Sequence, residues 1–170
     1  MNRSLKIVVT GPFAAGKTRF IKSISEIDVV TTERKITHRE KGLKRETTVA
    51  MDYGRVTFED DTLHLYGTPG QIRFEFMWDI LSREMNGFVM LVDSTNPDLY
   101  PHARELIYLF LADKPVPYVV AATKQDLSGA SPVAKIRRAM NLPADVLMMP
   151  CVATRKTSVR QVLLELRDLL

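Results

Sequence analysis

The sequence has one cysteine and no long hydrophobic run among its 170 residues. A single cysteine cannot form an internal disulfide, and Cys151 follows an apolar stretch, so a buried thiol is expected rather than a nucleophile. Because no run reaches the roughly 18 apolar residues of a membrane helix, no membrane insertion is predicted. The N-terminus leads directly into an apolar strand pattern, which leaves no room for a signal peptide. These absences predict a cytoplasmic protein.

An excess of positive charge is also small outside one segment. The net charge is +4, and between Thr31 and Thr48 six basic residues oppose three acidic ones, which accounts for most of that excess. A basic face for nucleic acid is therefore not indicated, and the segment is either a solvated loop or a partner-binding one. The three histidines, His38, His64 and His102, show no zinc-ligand spacing.

What the sequence does contain is a phosphate-binding loop, G-x-x-x-x-G-K-T, at residues 11–18. Its glycines allow successive backbone N–H groups to point at a polyphosphate. Lys17 is expected to bind the β- and γ-phosphates, and the hydroxyl of Thr18 to bind Mg²⁺. An apolar run before the loop and helical spacing after it predict a strand, a loop and a helix N-terminus. The nucleotide-binding residues predicted here are Gly11, Phe13, Ala14, Ala15, Gly16, Lys17, Thr18 and Arg19.

Strand and helix patterns alternate along the rest of the chain. This predicts a single α/β domain over residues 1–170, with three layers, a six-stranded mostly parallel sheet, one antiparallel hairpin strand and about five helices. Residues 28–47 lack periodicity and are rich in charge, which predicts a long mobile loop. One helix is predicted around residues 74–81, and the last strand over residues 146–151.

In such sheets, ligands bind beyond the carboxyl ends of the strands, and residues 123–126 are expected there. The carboxylate of Asp126 can accept hydrogen bonds from N1–H and N2–H₂ of guanine, whereas adenine offers no matching pair of donors. The stem of Lys124 can cover the flat base while its ammonium group stays solvated. The alternative is a simple capping turn. Asp93, at another strand end, is expected to cap that strand rather than to bind a metal.

The ordered motifs at residues 11–18, 48, 68–71, 123–126 and 151–153 resemble the Ras-like small GTPases, with their P-loop NTPase fold. The residues around Phe13 and the segments 47–55 and 67–74 are similar to the bacterial branch related to the gliding-motility GTPases. The resemblance implies a GTP/GDP switch that needs Mg²⁺ and hydrolyses GTP slowly. It also implies effector or activator proteins, roadblock-type dimers among them, that recognise loops at about residues 31–48 and 67–78.

The resemblance further assigns roles to single residues. Thr48 would reach Mg²⁺ and the γ-phosphate only in the GTP state, although packing at a strand start is the alternative. The N–H of Gly70 would meet the γ-phosphate, and Gln71 would orient the attacking water unless it is only a first-turn helix residue. Apart from the resemblance, Arg45, or else Arg39, is expected to neutralise charge in cis, because Phe13 would crowd an arginine from a partner; the alternative is a solvated arginine. Around the base, the assigned residues are Thr123, Lys124, Asp126, Val152 and Ala153, with the N–H of Ala153 meeting guanine O6.

Three residues depart from the family pattern. Gly67 stands where most members have the aspartate that supports Mg²⁺ through water, so either the metal holds GDP weakly or Asp93 or Asp52 substitutes. Phe13 would crowd an arginine supplied by an activator, and Thr123 replaces the commoner asparagine. The first two departures favour the rival hypothesis of a nucleotide-loaded scaffold with negligible hydrolysis. A P-loop kinase or ATPase is disfavoured by the guanine-type motif at residues 124–126.

Overall fold

A seven-stranded sheet forms the centre of the protein, as a computed structural model shows for residues 2–68 and 84–170. Within these ranges, the side chains of residues 32–40, 45 and 47–49 are not described. The strand order is β2-β3-β4-β1-β5-β6-β7. The strands are β1 (Ser4–Thr10), β2 (Val30–Glu40), β3 (Leu43–Phe58), β4 (Asp61–Gly67), β5 (Gly87–Asp93), β6 (Tyr118–Thr123) and β7 (Met148–Pro150).

Strand β3 pairs antiparallel with β2 and with β4, whereas the pairs β1–β4, β1–β5, β5–β6 and β6–β7 are parallel. The predicted fold class, a mostly parallel sheet with one antiparallel hairpin strand, is therefore confirmed. The predicted strand count of six was one too low, and β7 is shorter than the strand predicted over residues 146–151.

The additional strand is β2, which occupies most of the segment that was predicted to be a loop. The prediction of a loop over residues 28–47 was therefore wrong. Its ladder with β3 runs from Val30↔Tyr53 to Glu40↔Leu43, so only Lys41 and Gly42 form the turn. Both have positive φ, 51° and 79°, as two-residue hairpin turns of this hand require. The many charges of this segment concealed a strand that is stabilised by backbone pairing.

Four α-helices are found in the described residues. They are α1 (Lys17–Ile24), α2 (Tyr100–Leu111, after a 3₁₀ turn at Pro97–Leu99), α3 (Val133–Met140) and α4 (Lys156–Asp168). The helix predicted around residues 74–81 lies outside these residues. No helix in the ranges 2–68 and 84–170 has the length and hydropathy needed to cross a membrane.

The helices cover the two faces of the sheet, and each face has its own hydrophobic cluster. In β1, Ile7 and Val9 belong to the cluster that includes α1 and α4, while Val8 belongs to the cluster of α2 and α3. This division follows from the alternation of side chains along a strand. Burial of each large apolar side chain contributes about 1.5–3 kcal/mol. The three-layer arrangement holds the loops after β1, β5 and β6 side by side, because parallel strands end at one edge.

Candidate functional site

The loop between β1 and α1 has the backbone of a phosphate-binding loop. Gly11 and Gly16 have φ of 154° and 102°, values that residues with a Cβ rarely adopt. A Cβ at Gly11 would also lie 2.4 Å from the carbonyl oxygen of Leu91. Gly16 precedes the first residue of α1, so the loop delivers its N–H groups and the positive end of the helix dipole to one place.

Lys17 is buried in this loop. Its Nζ donates to the carbonyl oxygens of Gly11, at 2.7 Å, and Pro12, at 2.8 Å. Burial lowers the pKa of Lys17 from 10.5 to about 8. The ammonium group is thus held beside the loop, where an anion would both replace lost hydration and favour its charged form.

The other residues of the loop have distinct surroundings. The ring of Phe13 is 69% exposed, Ala14 is exposed, and Ala15 is buried with its N–H donated to the carbonyl of Pro12 at 3.2 Å. Arg19 is exposed and lines both cavities described below. An exposed phenyl ring at the mouth of the loop agrees with the expected crowding of an incoming arginine.

A cleft of about 510 Å³ opens in front of the loop. It is lined by Lys17 and Thr18 on one side and by Thr31, Asp52 and Gly67 on the other. The hydroxyl of Thr18 donates to Oδ2 of Asp52 at 2.5 Å, and the hydroxyl of Thr31 lies 3.4 Å from Oδ1. Hydroxyl and carboxylate oxygens are the hard ligands that Mg²⁺ prefers, and few carboxylates suffice when phosphates supply the rest. These residues therefore fit a magnesium ion bound together with a nucleotide.

A second cavity, of about 220 Å³, lies beside the first. Gly16 and Arg19 line both cavities, whereas Lys124, Asp126 and Ala153 line only the second, together with Thr123, Leu127, Val152 and others. Asp126 is exposed, as a residue that meets a ligand should be. The structure thus brings the predicted base-binding residues together, next to the predicted phosphate-binding ones.

Thr123 links the segment at residues 123–126 to the phosphate loop. Its buried hydroxyl lies 2.8 Å from the carbonyl oxygen of Ala15 and 3.1 Å from that of Val92. A second link comes from Ser23 of α1, whose hydroxyl donates to the carbonyl of Ala153. The threonine that departs from the family pattern therefore ties the base-binding loop to the phosphate loop, a role that sequence reasoning did not find.

Lys124 differs from its predicted surroundings. Its Nζ forms an ion pair with Oδ2 of Asp93 at 2.6 Å, so the ammonium group is not simply solvated. Lys124 also has φ of 61°, a left-handed conformation that is uncommon for a residue with a Cβ and that it shares with turn residues such as Lys41 and Glu59. The remaining oxygen of Asp93 accepts from the N–H of Thr95 at 2.9 Å and its hydroxyl at 2.6 Å. Asp93 therefore caps its strand end, as predicted, and is committed to Lys124 and Thr95.

The pKa of Asp93 is lowered overall. Burial alone would raise it, but hydrogen bonds from Lys124 and Thr95 outweigh that effect. The carboxylate is therefore ionised at neutral pH and holds the lysine through charge.

The remaining residues that the sequence singled out lie outside the described residues, have side chains that are not described, or line neither of the two cavities. Gly70 and Gln71 lie outside the described residues, as does Trp78. Arg45 and Thr48 lie in β3, opposite His38 and Lys35, and their side chains are not described. Cys151 is buried, and desolvation raises the pKa of its thiol to about 11, which matches the predicted inert thiol.

The fold and the two adjoining cavities define a P-loop nucleotide-binding protein. The Arl6 small GTPase of Trypanosoma brucei, solved with the bound nucleotide analogue GppNp, shares this fold. Its TM-score is 0.75 at 17% identity, and the match covers 97% of this chain and 96% of that one.

Residues 27–169 match the family described as "Conserved hypothetical ATP binding protein", and the chain belongs to that family. An uncharacterized protein of Methanocaldococcus jannaschii is 34% identical over 72% of this chain and 71% of its own length. The human ADP-ribosylation factor-like protein 4C is 27% identical over 82% of this chain and 70% of its own length. The mutual gliding-motility protein MglA of Myxococcus xanthus is 27% identical over 80% of this chain and 75% of its own length. The predicted resemblance to Ras-like small GTPases, including the gliding-motility branch, is confirmed.

Proposed function

We propose that this protein binds GTP and GDP with Mg²⁺ and works as a molecular switch. The observation that carries the proposal is the junction of the two cavities at Gly16 and Arg19, with Lys17 on one side and Asp126 on the other. A phosphate chain in the first cavity and a purine base in the second would belong to one nucleotide. Relatives among the small GTPases support the same conclusion.

Guanine is the proposed base, although the family description speaks of ATP. The reason is chemical, because the exposed carboxylate of Asp126 can accept from two donors of guanine, and adenine presents no such pair. Loss of this charge-assisted interaction should cost roughly 1.5–3 kcal/mol, or a factor of about 10 to 150 in affinity.

The test is competition of GTP, GDP and ATP for the wild-type protein. GTP and GDP should bind far more tightly than ATP, and Asp126→Ala should lose this preference. Asp28→Ala, which removes an exposed carboxylate outside both cavity linings, is the matched control and should keep it. Equal affinity of the wild type for GTP and ATP would contradict the proposal of guanine recognition, and preference for ATP would support the family description instead.

Slow hydrolysis of GTP is the second part of the proposal. Gln71 would orient the attacking water, while Lys17, Mg²⁺ and loop N–H groups would stabilise the charge of the transferred phosphoryl group. An unaided rate on the order of 10⁻⁴ s⁻¹ is typical of such sites. Thr48 and Gly70 would sense the γ-phosphate, and a partner protein, of which roadblock-type dimers are one class, would respond to the segments 31–48 and 67–78. The proposed location is the cytoplasm.

Single-turnover hydrolysis distinguishes this switch from a scaffold that only retains its nucleotide, a rival that the exposed ring of Phe13 favours. We expect slow conversion of bound GTP that stops in Gln71→Leu. If Arg45 acts in cis, Arg45→Ala should reduce partner-stimulated hydrolysis at least tenfold with GTP affinity retained, whereas the neighbouring control Lys44→Ala should not. Retention of intact GTP by the wild type over many hours would favour the scaffold.

A further inference from the structure

Gly67 leaves the predicted magnesium site without its usual carboxylate. The residue directly opposite Gly67 in the β3–β4 ladder is Asp52. A Cβ built on Gly67 would lie 3.4 Å from the Cβ of Asp52, so side chains at the two positions would start next to each other. The carboxylate of Asp52 therefore enters the region that an aspartate at position 67 would use.

The space around Gly67 is limited by helix α1. A Cβ at this position would lie 2.9 Å from Cδ1 of Ile21, so this terminal methyl group would have to move. Ile21 is fully buried in the cluster of α1 and α4. Asp52 reaches the same cleft from the neighbouring strand without displacing Ile21.

The contacts of Asp52 are directed at the predicted metal ligand. Its Oδ2 accepts the hydrogen of the Thr18 hydroxyl at 2.5 Å, which leaves the lone pairs of that hydroxyl oxygen for a cation. Metal ligands are commonly oriented in this way by an outer carboxylate. Asp93, the other candidate, is held by Lys124 and Thr95 and does not line this cleft.

From this juxtaposition we infer that Asp52 is the positioning carboxylate of the Mg²⁺ site, replacing the one that Gly67 lacks. It orients the hydroxyl of Thr18 toward the ion and places a negative charge beside it. The inference depends on the proposed nucleotide binding, because the phosphates complete the site. A magnesium site built in this way restores ordinary metal dependence of GDP retention, so the weak hold on GDP that Gly67 alone would predict does not arise.

The test is GDP release measured across a range of MgCl₂ concentrations. Wild-type protein should release GDP slowly in Mg²⁺ and rapidly after EDTA. Asp52→Asn keeps the size of the side chain. In this variant, the Mg²⁺ concentration that gives half of the maximal decrease in the rate of GDP release should rise about 10–100-fold. Asp28→Asn is the control and should match the wild type. Mn²⁺ binding to the GDP complex, followed by electron paramagnetic resonance, gives a second measurement without GTP hydrolysis.

A relocation variant separates a metal role from a structural one. In Asp52→Gly with Gly67→Asp and Ile21→Val, the carboxylate moves to the other strand and Cδ1 of Ile21 is removed. The Mg²⁺ concentration for half-maximal slowing of GDP release in this variant should lie within about threefold of that in Ile21→Val alone. Asp52→Gly with Ile21→Val, which lacks both carboxylates, should need a much higher concentration. This comparison tests the metal role of Asp52 even if Asp52→Asn proves poorly folded by circular dichroism.

Three outcomes overturn the inference. Unchanged Mg²⁺ dependence in Asp52→Asn would show that the carboxylate has no role at the metal. Tighter Mg²⁺ binding in that variant would show that the Thr18–Asp52 contact blocks the site. Absence of nucleotide binding in the wild type would remove the inference and the proposed function together, while the first two outcomes leave the proposed function intact.

Discussion

Nucleotide binding should be accompanied by proton uptake at Lys17 in mildly alkaline solution. With a pKa of about 8, the buried amine is close to half deprotonated at pH 8. A bound diphosphate places negative charge beside Nζ and so raises the pKa of Lys17 well above that pH. GDP should therefore bind together with about half a proton at pH 8, and with about a tenth of a proton at pH 7. At pH 8 the phosphate groups contribute little to this uptake, because their last ionisation lies near pH 6, whereas at pH 7 they release about a tenth of a proton and offset the uptake by Lys17.

The direction of the pH effect follows from the same shift. Because the bound state prefers the charged amine, affinity for GDP should decrease as the pH rises above 8, and it should be nearly level below 7. Isothermal titration calorimetry in two buffers of different ionisation enthalpy measures the uptake directly. Lys17→Arg provides the control, because an arginine stays charged over this range and should bind GDP, however weakly, without proton uptake.

The reasoning would be refuted by GDP binding at pH 8 with an identical heat in both buffers. It would also be refuted if the uptake decreased between pH 7 and pH 8. The first result would mean that Lys17 is fully charged in the free protein, and that its hydrogen bonds to the carbonyls of Gly11 and Pro12 outweigh its desolvation. The second would mean that a group other than Lys17 takes up the proton.

Three further predictions concern the base site, the hairpin and the packing of α1. Asp93→Asn should weaken GTP binding by about three- to tenfold, measured by fluorescence titration, because Lys124 loses its charged partner while remaining partly exposed; unchanged affinity would contradict the positioning of Lys124 by Asp93. Hydrogen exchange of residues 31–48 should slow when a non-hydrolysable GTP analogue replaces GDP, and equal exchange in both states would argue against γ-phosphate sensing there. Gly54→Ala should destabilise the protein by about 1–3 kcal/mol in urea unfolding. Its Cβ would lie 2.6 Å from Cγ2 of Ile21; full stability in that variant would show that α1 adjusts without cost.

Local patterns in the sequence predicted the fold class and several of the residues that line the two cavities. The glycine spacing of the phosphate loop and the apolar runs before each site segment are short-range signals. The structure finds Lys17 and Thr18 in the lining of the first cavity and Asp126 in that of the second. The parallel order of β1, β5 and β6 then brings these segments to one edge, as the general rule for such sheets requires.

The features that were not predicted depend on strand register. Strand β2 lacks apolar periodicity, and only its pairing with β3 across the Lys41–Gly42 turn shows it to be a strand. The ion pair of Lys124 with Asp93 requires that β5 and β6 end side by side, with Asp93 opposite Thr123. The choice between Asp52 and Asp93 was open in the sequence for the same reason, because residues far apart in the chain had to be placed across neighbouring strands.

The position of β2 gives the charge of its segment another significance. Among the strands of residues 2–68 and 84–170, β2 is the outermost on its side of the sheet, so one of its edges carries backbone groups that β3 does not pair. Such an edge invites a second molecule to add a strand, and charged residues are a common protection against this. The sequence of β2 includes Glu33, Arg34, Lys35, Arg39 and Glu40. The density of charge that first suggested a loop or a binding segment is thus also the kind of composition that discourages addition of a strand at an open edge, since each charged side chain there would have to lose hydration.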